Sequence, residues 1–233
     1  MSAFKFHVSG LEHPVPRTVT VVVAALASWG LAAPGASAQS VDLELSSAYL
    51  EPSTFVGVFS ERPMARVTGA FDLGDAGYVE AYASSGFDRP FRDEGSEIGL
   101  EVGGEWVVGG DLVLNLAAGR WANYAGQGLE AGDWFGRVGL SHGPIQASAS
   151  VLQGDSDTIA LNASYEWALT EHVSLLPTIG YLTADEALNF GIVGTINLTD
   201  QWGLAITAVA PDSDAGDRET YVAASLIYHW ERD

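Results

Sequence analysis

From Ser40 to the C-terminus apolar and polar residues alternate in runs of about ten, and no other feature constrains the fold as tightly. Val41, Leu43, Leu45 and Tyr49 alternate with Asp42, Glu44 and Ser46. Ile98, Leu100, Val102 and Trp106 alternate with Glu97, Gly99, Glu101 and Glu105. Ile159, Leu161, Ala163, Tyr165 and Trp167 alternate with Ala160, Asn162, Ser164 and Glu166. Period two places successive side chains on opposite faces of a strand, which a helix cannot do. Twelve segments follow the pattern: 41–50, 64–73, 78–85, 96–107, 111–121, 133–141, 145–152, 158–169, 173–182, 187–198, 202–210 and 219–230.

The connections sort by parity. Gly74–Gly77, Val108–Gly110, His142–Pro144, Thr170–His172 and Thr199–Gln201 are tight and rich in turn formers. Those after the odd segments are mostly longer, notably Glu51–Pro63, Gly86–Gly95, Ala122–Gly132 and Pro211–Arg218. Tight turns on one side and long loops on the other are the asymmetry of outer-membrane barrels with periplasmic termini, and the even strand count agrees. The expected fold is all-β, a closed antiparallel transmembrane β-barrel of about twelve strands, located in the bacterial outer membrane.

Alternation alone does not say which face looks inward, but aromatic placement does. Trp106, Trp167, Trp202 and Trp230 lie on the apolar face at the periplasmic strand ends, and Tyr49, Trp134 and Tyr181 lie on it at the opposite ends. Amphipathic rings prefer the membrane–water boundary, so these residues form two girdles on a lipid-facing exterior. Two residues strain the pattern. Pro177 lacks a ladder donor, and Arg120 faces lipid unless a bulge near Gly119 reverses the register.

Before the barrel, Lys5 and Arg17 precede an apolar run, Thr18–Ala33, and the small-x-small site Ala36-Ser37-Ala38. A run of sixteen residues falls short of the roughly 20 of a spanning helix. Residues 1–38 therefore read as a cleavable signal peptide, and 39–233 as the barrel. The last strand, Tyr221–Trp230, ends in an aromatic and resembles the C-terminal signal recognised by the barrel-assembly machinery, although Glu231-Arg232-Asp233 follow it.

Beyond residue 38 the cationic residues number eight, all Arg, against 29 carboxylates. Such a chain repels nucleic acid, whose binding requires neutralised phosphates. With no cysteine, thiolate metal sites and disulfides are excluded. No cofactor motif is present, and no catalytic constellation converges. His142 and His172 read as turn residues. Ser225 and His229, four apart on a strand, are separated by about 13 Å, too far for proton transfer.

The inward face gathers Glu44, Arg66, Glu80, Glu101, Glu105, Arg137 and Glu166 as candidates for setting lumen selectivity. Two readings stay open. One is a narrow porin-like pore whose surplus of carboxylates favours cations. The other is a closed structural or surface-interaction barrel, its interior filled by the same charges. A lipid-modifying enzyme ranks third. Loop acids (Asp93, Glu94, Glu130, Asp155, Asp157, Asp212, Asp214 and Asp217) read as solvated charge, or as oxygen ligands for divalent ions bridging lipopolysaccharide. Outer-membrane lipid and lipopolysaccharide are the expected surroundings.

Three stretches in the N-terminal half carry a family likeness: Ser60-Glu61-Arg62-Pro63, Gly77-Tyr78-Val79 through Ala83-Ser84-Ser85, and Gly95-Ser96-Glu97-Ile98-Gly99-Leu100. Over roughly residues 47–104 the chain resembles the TorF-type porin family of bacterial outer-membrane proteins. That resemblance implies an outer-membrane barrel and no chemistry.

Overall fold

The computed structural model describes residues 39–51, 57–60, 63–86, 97–123, 133–153, 158–183, 186–210 and 220–232. The proposed signal peptide and all eight loop acids named above lie outside the described residues.

Fifteen strands are described: β1 (Gln39–Ser46), β2 (Tyr49–Glu51), β3 (Gly57–Ser60), β4 (Met64–Leu73), β5 (Gly77–Gly86), β6 (Glu97–Gly109), β7 (Leu112–Asn123), β8 (Trp134–His142), β9 (Ile145–Gln153), β10 (Thr158–Tyr165), β11 (Trp167–Ala168), β12 (Val173–Leu182), β13 (Ala187–Asn197), β14 (Trp202–Ala210) and β15 (Tyr221–Arg232). Each barrel strand pairs antiparallel with its sequence neighbours, β1 pairs with β15, and β10 pairs with β12. With β10 and β11 counted as one interrupted strand, the sheet is a closed barrel of twelve. Closure leaves no sheet edge to solvate, which lipid requires.

Gln39 lies opposite Arg232 and Phe71, so both ends of the barrel sequence share one rim with the β4–β5 turn. The other tight turns fall on that rim too, and three use a left-handed glycine: Gly74, Gly110 and Gly143 at φ of 75°, 55° and 53°. This is the periplasmic rim by the asymmetry of such barrels.

Facing follows the sequence parity. Ile206, Val222 and Leu161 are exposed on the outer surface, whereas Thr207, Ala223 and Asn162, one position along, are buried toward the lumen. Large apolar side chains open to the surroundings over a whole closed sheet are what a lipid-facing exterior looks like, since lipid removes the cost that water would impose.

Most strand ends fall within two residues of the sequence reading, and two segments depart further. The first strand stops at Ser46 instead of residue 50. There the Ser46 hydroxyl donates to the Ala48 carbonyl, a local bond that competes with the ladder and bends the chain. Tyr49 consequently falls in the separate β2–β3 hairpin and not in a barrel strand, so its assignment to the outer girdle is corrected. The segment 158–169 breaks at Glu166, between β10 and β11. Register is conserved across the break, because Ser164 pairs with Thr178 and Trp167 with Leu175. On this register Pro177 lies opposite Tyr165, the last residue of β10, and its missing N–H accounts for the lapse that follows, while pairing with β13 runs through Pro177 intact. No bulge reverses Arg120: the only irregularity in the β6–β7 pairing lies between Val107 and Gly109, and Arg120 points outward.

Candidate functional site: the lumen

The lumen wall has two unlike halves. On β1 and β4–β8 the inward positions carry charge, because these strands place Glu44, Arg66, Glu80, Glu101, Glu105 and Arg137 on one parity. Sharing that parity are Asp42, Glu97, Tyr78, Tyr82 and Asn115. On β9–β14 the inward positions are small or neutral, with Ser150, Ala160, Asn162, Thr178, Asn189, Ala205 and Thr207 all buried.

Glu44 and Arg66 are direct register partners, and so are Glu80 and Glu101. Like charges opposite each other are unfavourable unless a cation intervenes. Arg137 supplies one, with its guanidinium 2.6 Å from Glu101 Oε1 although two strand spacings separate them. It spans that distance because the intervening row holds only Ala117 and Gly103. Tyr78 crosses Gly103 from the other side and donates its hydroxyl hydrogen to the same oxygen, Glu101 Oε1, at 2.6 Å. A Cβ on Gly103 would stand 2.5 Å from the Tyr78 ring, so only glycine admits this crossing. Arg137 and Asn115 both donate to the Tyr78 hydroxyl, at 3.3 and 3.4 Å, and Asn115 also donates to Glu105 at 3.2 Å. One level outward, the Arg66 guanidinium sits 4.2 Å from the centre of the Tyr82 ring, and that ring lies over Gly99. Rings laid across glycines on the next strand are a recurrent way to fill a thin place in a sheet.

Six of the seven lumen candidates thus lie on one charged wall, Glu105 tied to the network through Asn115. Glu166 does not. It is exposed at the β10–β11 break on the periplasmic rim, where its N–H donates to the Pro144 carbonyl, so its placement in a strand body is corrected. Sequence reasoning missed Tyr78, Tyr82 and Asn115 as members of the network. Inward glycines facing inward tyrosines on the neighbouring strand were the available signal. At the periplasmic mouth His229 Nδ1 lies 2.5 Å from Asp42 Oδ1. Ser225, by contrast, bonds Ser46, so the two belong to separate pairs.

The lumen also differs along its axis. A cavity of about 320 Å³ opens in the periplasmic half along the adjoining strands β6–β10, where Glu105, Asn115 and Arg137 of the charged half meet Gln146, Ser148 and Asn162 of the neutral half. Toward the outer end the inward groups are closed off: Ser150 is 0% exposed, Asn189 3% and Val209 1%. The β2–β3 hairpin contributes to this closure. Leu50 packs on Val209 and Ala223, which face the lumen from β14 and β15, so the hairpin folds inward over that wall.

Of the girdle candidates, Trp106, Trp167, Trp202 and Trp230 are exposed on the outer surface near the periplasmic rim, and Trp134 and Tyr181 near the other. Trp202 packs against Tyr228, ring centres 4.8 Å apart.

A closed twelve-stranded sheet, apolar outside, charged inside and belted by aromatics, defines an outer-membrane β-barrel. No family model matches the chain, and no curated protein matches its sequence. Solved structures do share its fold. A membrane protein from work on in-meso crystallization aligns at a TM-score of 0.58 and 8% identity, over 83% of each chain. The NanC porin aligns at 0.52 and 9%, over 80% of this chain and 97% of the porin. An outer membrane channel from Pseudomonas putida F1 aligns at 0.50 and 13%, over 86% and 97%. At such identities the likeness is one of fold.

Proposed function

We propose that this chain is a porin-like channel of the bacterial outer membrane that passes small solutes and prefers cations. The observation that carries the reading is the charged wall of β1 and β4–β8. Among the described inward side chains of this wall, Asp42, Glu44, Asp72, Glu80, Glu97, Glu101 and Glu105 face only two guanidiniums, Arg66 and Arg137. Low-dielectric walls focus the field of that surplus into the lumen. Polar groups around the 320 Å³ cavity offer water and small solutes hydrogen bonds in place of bulk solvent. The role is transport and not catalysis. Export through a signal peptide ending at Ala38, insertion by the barrel-assembly machinery and kinship with the TorF-type porins belong to the same reading.

A specific observation favours a second reading, a closed structural or surface-interaction barrel. The inward groups of the outer half are buried, as a filled lumen would make them. Single-channel recording of the purified barrel in a planar bilayer separates the two. The channel reading expects stepwise conductance and, under a salt gradient, a reversal potential of the sign set by cations. A folded, inserted barrel that passes no current would overturn it in favour of the closed form.

A further inference from the structure

Arg120 is the one Asp, Glu, Lys or Arg among the described side chains on the outward face of the barrel strands. It shares a row with Leu100 on β6 and Trp134 on β8, near the rim opposite both ends of the barrel sequence. Its guanidinium stands 5.3 Å from the centre of the Trp134 ring, a cation held on an aromatic face at the membrane boundary. The next outward row toward the membrane centre is Val102, Ala118 and Gly136. A Cβ on Gly136 would meet nothing within 4 Å, so the surface there is open. Small residues below and large ones around them leave a groove of about 680 Å³, lined by Ile98, Leu100, Val102, Ala118, Arg120 and Trp134.

A groove that opens on hydrocarbon is filled by a flexible alkyl chain. A guanidinium at its outer end is a fork of donors matched to phosphate. Elsewhere the chain is acidic, with a formal charge of −20, and repels anionic headgroups. The rim opposite the tight turns lies in the external leaflet, whose principal lipid in a bacterial outer membrane is lipopolysaccharide. We infer that the β6–β8 groove binds lipopolysaccharide, one acyl chain of lipid A lying over Val102 and Ala118 and a lipid A phosphate at Arg120. The site rests on the outer-membrane setting and is independent of whether the lumen conducts.

The test uses the barrel refolded lipid-free into detergent and native mass spectrometry with three probes: bisphosphorylated lipid A, the same lipid dephosphorylated, and phosphatidylglycerol. The wild type should retain one lipid A per barrel and little of the other two. Arg120→Gln should weaken lipid A retention about tenfold, the loss of a charge-assisted contact, and Arg120→Lys should restore part of it. Ala118→Trp, which fills the groove, should reduce retention with the charge intact. Arg120→Gln keeps a side chain of similar length and leaves strand pairing untouched, so it decides the matter even if the tryptophan variant fails to fold. Retention of lipid A by Arg120→Gln equal to wild type would overturn the site. Equal retention of phosphatidylglycerol by the wild type would overturn the assignment to lipopolysaccharide.

Discussion

Leu161 on β10 and Ser148 on β9 lie one residue apart in register, since Leu161 pairs with Ala149, yet they face opposite solvents. Leu161 is 47% exposed on the lipid side, and Ser148 borders the lumen cavity. Leu161→Arg should destabilise the folded barrel by about 2–4 kcal/mol, the cost of a cation at the bilayer midplane. Ser148→Arg, with room and water beside it, should cost much less. Urea unfolding from lipid vesicles reads both, and equal losses would mean that the facing is wrong. Parity of this kind is fully legible in the sequence because it needs only the period of two. The Arg137–Glu101–Tyr78 junction is not. It depends on which glycine and alanine lie between the partners, and that is set by the register of three strand pairs, which no single strand encodes.

At the scale of elements, the same contrast explains what the segment pattern captured. β4, β12 and β14 begin and end where alternation and turn residues place them, since a tight turn fixes its own ends. The inward hairpin was hidden, because Tyr49 keeps the parity of Val41, Leu43 and Leu45 in the sequence and only the Ser46 bend diverts the chain. If the hairpin narrows the outer lumen, Leu50→Asp should release it from Val209 and Ala223, since a carboxylate is costly against that apolar contact. Single-channel conductance should rise with barrel assembly unchanged. An unaltered conductance would show that the hairpin does not set the narrowest passage. Pro177 makes a second element-level case. Pro177→Ala returns the missing N–H and should close the β10–β11 gap, adding about 0.5–1.5 kcal/mol of stability. Amide exchange across β10, β11 and β12 reads the outcome. Exchange near the gap as fast as in the parent would show that the break has another cause.

Across the whole molecule the lumen is electrostatically lopsided, with carboxylates and two guanidiniums on β1 and β4–β8 facing the small neutral wall of β9–β14. A permeating ion would thus pass along one charged side, and the balance on that side would set its sign. The pairing within the wall makes the carboxylates unequal. Glu44 lies opposite Arg66, and Glu101 holds Arg137, so each is partly neutralised, whereas Glu80 is directly opposite another carboxylate. Glu80→Gln should therefore lower the cation preference by removing the less compensated charge. Glu101→Gln should lower it further, because it also releases the Arg137 guanidinium into the lumen as an uncompensated cation. Arg137→Gln should shift selectivity the opposite way. Reversal potentials under a KCl gradient measure all three. The spread among variants should shrink in molar salt, where the screening length falls to about 3 Å from about 10 Å at 0.1 M. If Arg137→Gln and Glu101→Gln move the reversal potential in the same direction, fixed lumen charge is not what selects, and charge on the outer loops becomes the quantity to vary.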